Sequence, residues 1–195
     1  MHMDQLILTS SWDHSIILWR QTTDESASCL IPLHRFKLKG AVQAMLAMTD
    51  GLLVATSDCQ ISLYPWSIIL SHNDNQQFLT SPLSSTKRSI KFIGHQQWIT
   101  SLIACPSNPN VFYSGSLDGT VMIWDIRHVR STRHEIQQEQ QNNSVNSSSS
   151  GCDSAIVMHS IKVGKKITSM LVIKGNGNEY LLIGGESKSI LLYSL

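Results

Sequence analysis

Gly115-Ser116-Leu117-Asp118-Gly119-Thr120-Val121-Met122-Ile123-Trp124-Asp125 is the stretch on which the fold turns, because the chain writes it more than once. Ser10-Ser11-Trp12-Asp13-His14-Ser15-Ile16-Ile17-Leu18-Trp19-Arg20 follows the same order: a small-residue step, an Asp in a turn, a hydroxyl residue, three apolar residues and a Trp. Thr56-Ser57-Asp58-Cys59-Gln60-Ile61-Ser62-Leu63-Tyr64 and Gly184-Gly185-Glu186-Ser187-Lys188-Ser189-Ile190-Leu191-Leu192-Tyr193 are sparser copies. The anchor aromatics Trp19, Tyr64, Trp124 and Tyr193 therefore stand 45, 60 and 69 residues apart. Each copy carries strand chemistry: Val111-Phe112-Tyr113 and Thr120–Trp124 are β-branched and aromatic runs bounded by Gly, Asn, Pro and Asp,. Asp118-Gly119 between them is the residue pair of a tight hairpin.

The long spacings come from two polar stretches, 71–89 and 134–154, which lack apolar periodicity. Within 137–150, twelve of fourteen residues are Gln, Asn or Ser, too little apolar surface to offset the entropy of ordering, so both stretches are expected as disordered insertions,. Without them the period falls to the ~40–45 residues of a four-stranded propeller blade. With strands lettered a to d from the central channel outward, the best unit has a at Ile99–Ala104, b at Val111–Ser116 and c at Thr120–Asp125, with d resuming at about Ala155–Ile161. The units run at about 1–39, 40–93, 94–161 and 162–195. The first lacks an inner strand and the last an outer one, which makes about three and a half blades. The expected fold is all-β, a partial propeller.

Composition narrows the function. The 195 residues carry 15 Lys and Arg against 14 Asp and Glu, a net charge of +1 that argues against coating nucleic acid by bulk positive field,. Cys29, Cys59, Cys105 and Cys152 are scattered, with no zinc or disulfide spacing, which predicts a reducing compartment,. No basic n-region precedes Leu6-Ile7-Leu8, and no apolar run approaches the ~18–20 residues of a membrane span, so neither secretion nor membrane insertion is expected,.

Gly94-His95, then 28 residues, then Trp124-Asp125, is the frame in which the chain resembles the WD-repeat family. That resemblance implies a buried hydrogen-bond chain of His95, Ser114, Asp118 and Trp124, in which a buried carboxylate is satisfied through an imidazole, a hydroxyl and an indole N–H. In the first unit it extends to Thr9, Asp13 and Trp19, and in the second to Asp58, with Tyr64 in the place of Trp. In the fourth unit Ser187 stands where the Asp belongs. Ser11-Trp12-Asp13-His14-Ser15, a degenerate second unit, Gly94–Ser101 and Asp118–Arg127 occur in an order similar to the last four blades of the WD-repeat subunit of the pescadillo–block-of-proliferation complex. The ubiquitin-like domain and early blades of that subfamily have no counterpart here. The resemblance implies a nucleolar or nuclear scaffold in large ribosomal subunit assembly and pre-rRNA maturation, with pescadillo-type and block-of-proliferation-type subunits as partners and pre-ribosomal RNA as a possible further one. The alternatives are a cytoplasmic WD-repeat adaptor, for ubiquitin-ligase substrate recruitment or vesicle traffic, and an RNA-binding propeller module.

Strand alternation places the d–a connections and b–c turns on one face and both insertions on the other. Trp12, Trp98 and Leu117 fall on the first face and are candidate protein-interface residues, since exposed aromatics commonly anchor interfaces. Arg127, Arg130 and Arg133, with His128, Lys87 and Arg88, form a loop-borne basic group on the second, a candidate RNA contact. Strand b of the first unit, Leu6–Ser10, is left as an open edge, which predicts either a fragment or a ring completed by another chain, with a compact four-bladed closure as the alternative. Catalysis is not expected. No P-loop or Gly-x-Gly-x-x-Gly occurs, and the eight His form no metal-spaced cluster,. His95, Asp118 and Ser114 are the residue types of a hydrolytic triad, but Ser114 lies inside a strand and is spent on Trp124. No cofactor, metal, membrane or small-molecule substrate is expected.

Overall fold

The computed structural model describes residues 5–24, 27–70, 79–83, 89–130, 154–175, 177–187 and 189–194. Blade 1 contains β1 (Gln5–Ser11), β2 (Ser15–Asp24) and β3 (Ala27–Lys37) as strands b, c and d. Blade 2 contains β4 (Val42–Ala47), β5 (Gly51–Thr56), β6 (Gln60–Pro65) and β8 (Ile90–Ile93), with the one-turn helix α1 (Trp66–Ile69) after β6. Blade 3 contains β9 (Ile99–Ala104), β10 (Val111–Ser116), β11 (Thr120–Arg130) and β12 (Ser154–Lys162). Blade 4 contains β13 (Ile167–Gly175), β14 (Asn178–Gly185) and β15 (Leu191–Ser194) as strands a, b and c.

Within each blade, neighbouring strands pair antiparallel in sequence order. The three cores lie between blades, and the period-two alternation of side chains assigns residues to them. On β5, Leu52 and Val54 face blade 1, while Leu53 and Ala55 face blade 3. On β10, Phe112 faces blade 2, and Val111 and Tyr113 face blade 4. A strand covered on both sides has no solvent face, which is why β5 and β10 are buried along their whole length,. Blade 4 is covered on one side only: Ile167, Met170, Leu181 and Ile183 are buried, whereas Leu171 and Leu192 on its far face are 58% and 59% exposed. The described residues form an open arc, and the four-bladed closure is not what they adopt.

The b–c turns are superimposable in chemistry. His14, Cys59 and Gly119 each follow the turn Asp, and all three hold positive φ, at 67°, 63° and 77°. Gly119 takes that left-handed conformation without steric cost; His14 and Cys59 do not.

One expectation is corrected. Residues 79–83, inside the first stretch expected to be disordered, are ordered: β7 (Leu79–Pro82) pairs in parallel with the outer edge of β3, and Leu83 is buried in the core between blades 1 and 2. His34 Nε2 and Ser81 Oγ, 2.7 Å apart, tie the two strands. Pro82 is tolerated because β7 is the outermost strand of its sheet,. The start of β12 covers β8 in the same way, through Ser154–Lys91 and Ala155–Phe92, so the outer edges of blades 1 and 2 are both capped,. Residues 71–78, 84–88 and 131–153 lie outside the described residues.

Candidate functional site

Between blades 2 and 3 the structure brings His95, Ser114, Asp118 and Trp124 together. Trp124 Nε1–H donates to Ser114 Oγ at 2.8 Å; Ser114 Oγ and His95 Nε2 are 2.7 Å apart; His95 Nδ1 lies 2.9 Å from Asp118 Oδ2. One proton arrangement satisfies every group. The indole donates to the serine oxygen, the serine hydroxyl donates to Nε2, and Nδ1–H donates to the carboxylate. Asp118 also accepts from the Gln96 backbone N–H, the Thr120 backbone N–H and the Thr120 hydroxyl. Burial alone would push its carboxyl up, but Thr120, Gln96 and His95 outweigh that and hold it below its ordinary value,. Phe92 and Phe112 enclose the indole, with ring centroids 5.6 and 6.2 Å from it, and Ser114 and Trp124 are fully buried. Ser114 is closed off from solvent, and in this arrangement its hydroxyl donates to the imidazole. The arrangement locks the b–c turn to the d–a loop and to strand c.

Blade 1 closes the same place differently. Trp19 Nε1 donates to Thr9 Oγ1 at 2.8 Å, and Asp13 is met by the Ser15 backbone N–H and by Arg35 of β3 at 2.8 Å. Both groups are solvent-accessible. In blade 2, Asp58 accepts from the Thr56 hydroxyl, Val54 occupies the position of Ser114, and Tyr64 packs into the core toward blade 1. Arg35 and Thr120 carry parts of this network that the repeat frame alone did not point to. In blade 4, Ser187 donates to the Ser189 carbonyl and takes no part in such a network.

On the face that holds the b–c turns, Trp12 and Trp98 meet edge to face, with centroids 5.7 Å apart and planes at 89°. They are 65% and 41% exposed, so the pair leaves about half of its surface in water. Leu117, half-buried, donates its backbone N–H to the Trp98 carbonyl at 2.9 Å and fixes the loop that carries Trp98. Two tryptophans remote in sequence thus form one aromatic ridge, to which Leu117 is tied through its backbone.

The basic group is corrected in two respects. Arg127 and Arg130 sit on β11, which runs five residues past Asp125, and not in a loop. The Arg127 guanidinium is engaged by the buried Asp125, with Nε–Oδ1 at 3.0 Å and Nη2–Oδ2 at 2.5 Å. That hydrogen-bonded guanidinium, against the opposing effect of burial, holds the Asp125 carboxyl down at about 2. A positive charge spent on a buried carboxylate is a weakened phosphate ligand. Arg133 lies outside the described residues.

Radial four-stranded blades and inter-blade cores define the class of fold: an arc of a β-propeller. The sequence pattern of the WD domain, G-beta repeat, matches residues 86–125, from the segment before β8 through Asp125. The chain is similar to the ribosome biogenesis protein YTM1 of Debaryomyces hansenii, 39% identical over 64 residues, covering 33% of this chain and 14% of the relative. It is also similar to the protein of that name in Scheffersomyces stipitis, 57% identical over 37 residues, covering 19% and 8%. Similarity to the ribosome biogenesis protein WDR12 homolog of Aedes aegypti extends over 136 residues at 27% identity, covering 68% and 27%. The matched part is thus about a quarter or less of the length of these relatives.

Proposed function

We propose that the chain is a non-catalytic interaction scaffold in the assembly of the large ribosomal subunit, working in the nucleolus or nucleus. The observation that carries this reading is that each of these relatives is a ribosome biogenesis protein, matched on a fold whose triad-type residues are all spent on one another. In this reading the relay is structural in each blade that keeps it, through His95, Ser114, Asp118 and Trp124, and through Thr9, Asp13, Trp19 and Asp58 in their altered forms. The ridge of Trp12, Trp98 and Leu117 is the protein-binding surface. Pescadillo-type and block-of-proliferation-type subunits are the partners, with pre-ribosomal RNA as a possible further one, touched by Arg130 and Arg133. The apolar far face of blade 4 is covered in the working assembly by further blades.

The test is affinity purification of the tagged chain, with and without Trp12→Ala and Trp98→Ala together, and pre-rRNA profiling after depletion. The reading expects large-subunit assembly factors to co-purify, their yield to fall at least tenfold in the double variant, and large-subunit rRNA precursors to accumulate. Co-purification of an unrelated set of proteins with normal precursors would overturn the assembly role. Unchanged yield in the double variant would remove the ridge from it.

A further inference from the structure

Blade 2 lacks the relay, and what stands in its place has a chemistry of its own. On β11 of blade 3, Thr120, Met122 and Trp124 face blade 2, and the His95 imidazole fills the space above them. The corresponding residues of β6 are Gln60, Ser62 and Tyr64, and the d–a loop over them is Leu38-Lys39-Gly40. Ser62 is shorter than Met122, Val54 offers no hydroxyl where Ser114 does, and no imidazole enters. A cleft of about 70 Å³ remains, open to solvent between the first two blades. Lys39 borders it from the loop and Lys91 from β8, where Lys91 pairs with Ser62. Neither ammonium makes an ion pair among the described residues. Among the described residues that line the cleft, Asp58 is the one carboxylate, which leaves that lining with a net single positive charge.

We propose that this cleft binds the terminal oxyanion of an acidic side chain, a carboxylate or a phosphate monoester, presented by a partner protein. Two lysines lining one concave polar space can act as point charges for such a group,. Gln60 and Ser62, which also line it, offer neutral donors,. Its size decides between partners. A single terminal carboxylate or phosphate fits about 70 Å³. An internal nucleic-acid phosphodiester is flanked by two sugars and cannot enter without them. Asp58 at the border also repels a continuous polyanion while tolerating one anion held by two ammonium groups. The cleft opens beside the b–c turns, on the face that carries the Trp12–Trp98 ridge. The inference does not depend on which assembly the chain serves.

Isotope-labelled full chain, titrated while the lysine side-chain Cε–Hε signals are followed by two-dimensional NMR, tests it. The probes are inorganic phosphate, the capped peptides Gly-Glu-Gly and Gly-phosphoSer-Gly, and octauridylate. The expected result is saturable, parallel movement of the Lys39 and Lys91 signals with at least one of the peptides, and none at Lys166 or Lys174, which are paired with Glu186 and Glu179. Lys39→Met and Lys91→Met should each weaken binding tenfold or more at unchanged melting temperature, and Lys91→Arg should retain it. A glutamate response identifies a carboxylate ligand, and a phosphoserine response alone a phosphorylated one. Absence of saturation, equal movement of Lys166 and Lys174, or binding of inorganic phosphate with neither peptide would overturn the proposal. Tighter binding of octauridylate than of either peptide would overturn it in favour of RNA.

Discussion

Ser114→Ala removes one oxygen from the centre of the relay, and its cost follows from what that oxygen holds. Trp124 Nε1–H loses its acceptor, and His95 Nε2 loses its donor. Both side chains are fully buried, so water does not replace the serine without opening the inter-blade core. Each buried polar group left unsatisfied costs about 1–3 kcal/mol, which puts the variant at roughly 2–5 kcal/mol below the parent. At ~2–4 °C per kcal/mol for a chain of this size, the melting temperature should fall by roughly 4–20 °C. Thr9→Ala is the internal control. It breaks the same indole-to-hydroxyl bond in blade 1, where Thr9 is exposed and water can take over, so its cost should stay below about 1 kcal/mol,. Urea titrations of parent, Ser114→Ala and Thr9→Ala, followed by circular dichroism and compared at constant slope, measure both. A loss below about 1 kcal/mol for Ser114→Ala, or equal losses in the two variants, would refute the assignment of a buried relay to blade 3.

Acid should find the chain's weak point at its carboxylates. Asp125 sits at about 2 in the fold against an ordinary 3.8, and Asp118 is also held low, so both bind protons more readily when the chain is unfolded,. Their contribution is complete above about pH 4 and is lost as the pH falls toward 2, so the urea midpoint should decline steeply below about pH 4. Asp125→Asn should lower the plateau and flatten that decline. At the blade 2 turn, Cys59→Gly relieves a left-handed backbone conformation and should stabilise the chain by about 0.5–1 kcal/mol in the same assay, whereas Gly119→Ala should destabilise it by a similar amount or more,.

How far the fold could be read in advance varies from blade to blade, for physical reasons. The frame of blade 3 was legible because its turn, its relay and its Trp are written in residue types with few other uses. Blade 2 was legible only through its frame, since Val54, Ser62 and Tyr64 are ordinary strand residues and the turn Asp alone marks the register. Strand β7 was hidden because Leu79-Thr80-Ser81-Pro82 lies in a polar stretch, and its order depends on a partner edge and on His34, 47 residues away. The contact of Trp12 with Trp98 crosses a whole blade, which no local pattern encodes. The pairing of Arg127 with Asp125 was not anticipated because the strand was expected to end at Asp125, and residues beyond a strand are assumed to be solvated.

The account stands most directly on the proton arrangement within the relay. Long-range ¹H–¹⁵N correlation of the histidine rings in the folded chain at neutral pH reads it for His95. The account predicts an imidazole protonated at Nδ1, with Nε2 unprotonated and that N–H protected from solvent by its contact with Asp118. An Nε2–H tautomer, or a ring exchanging freely with water, would contradict it and would return Ser114 and His95 to the status of groups free to react.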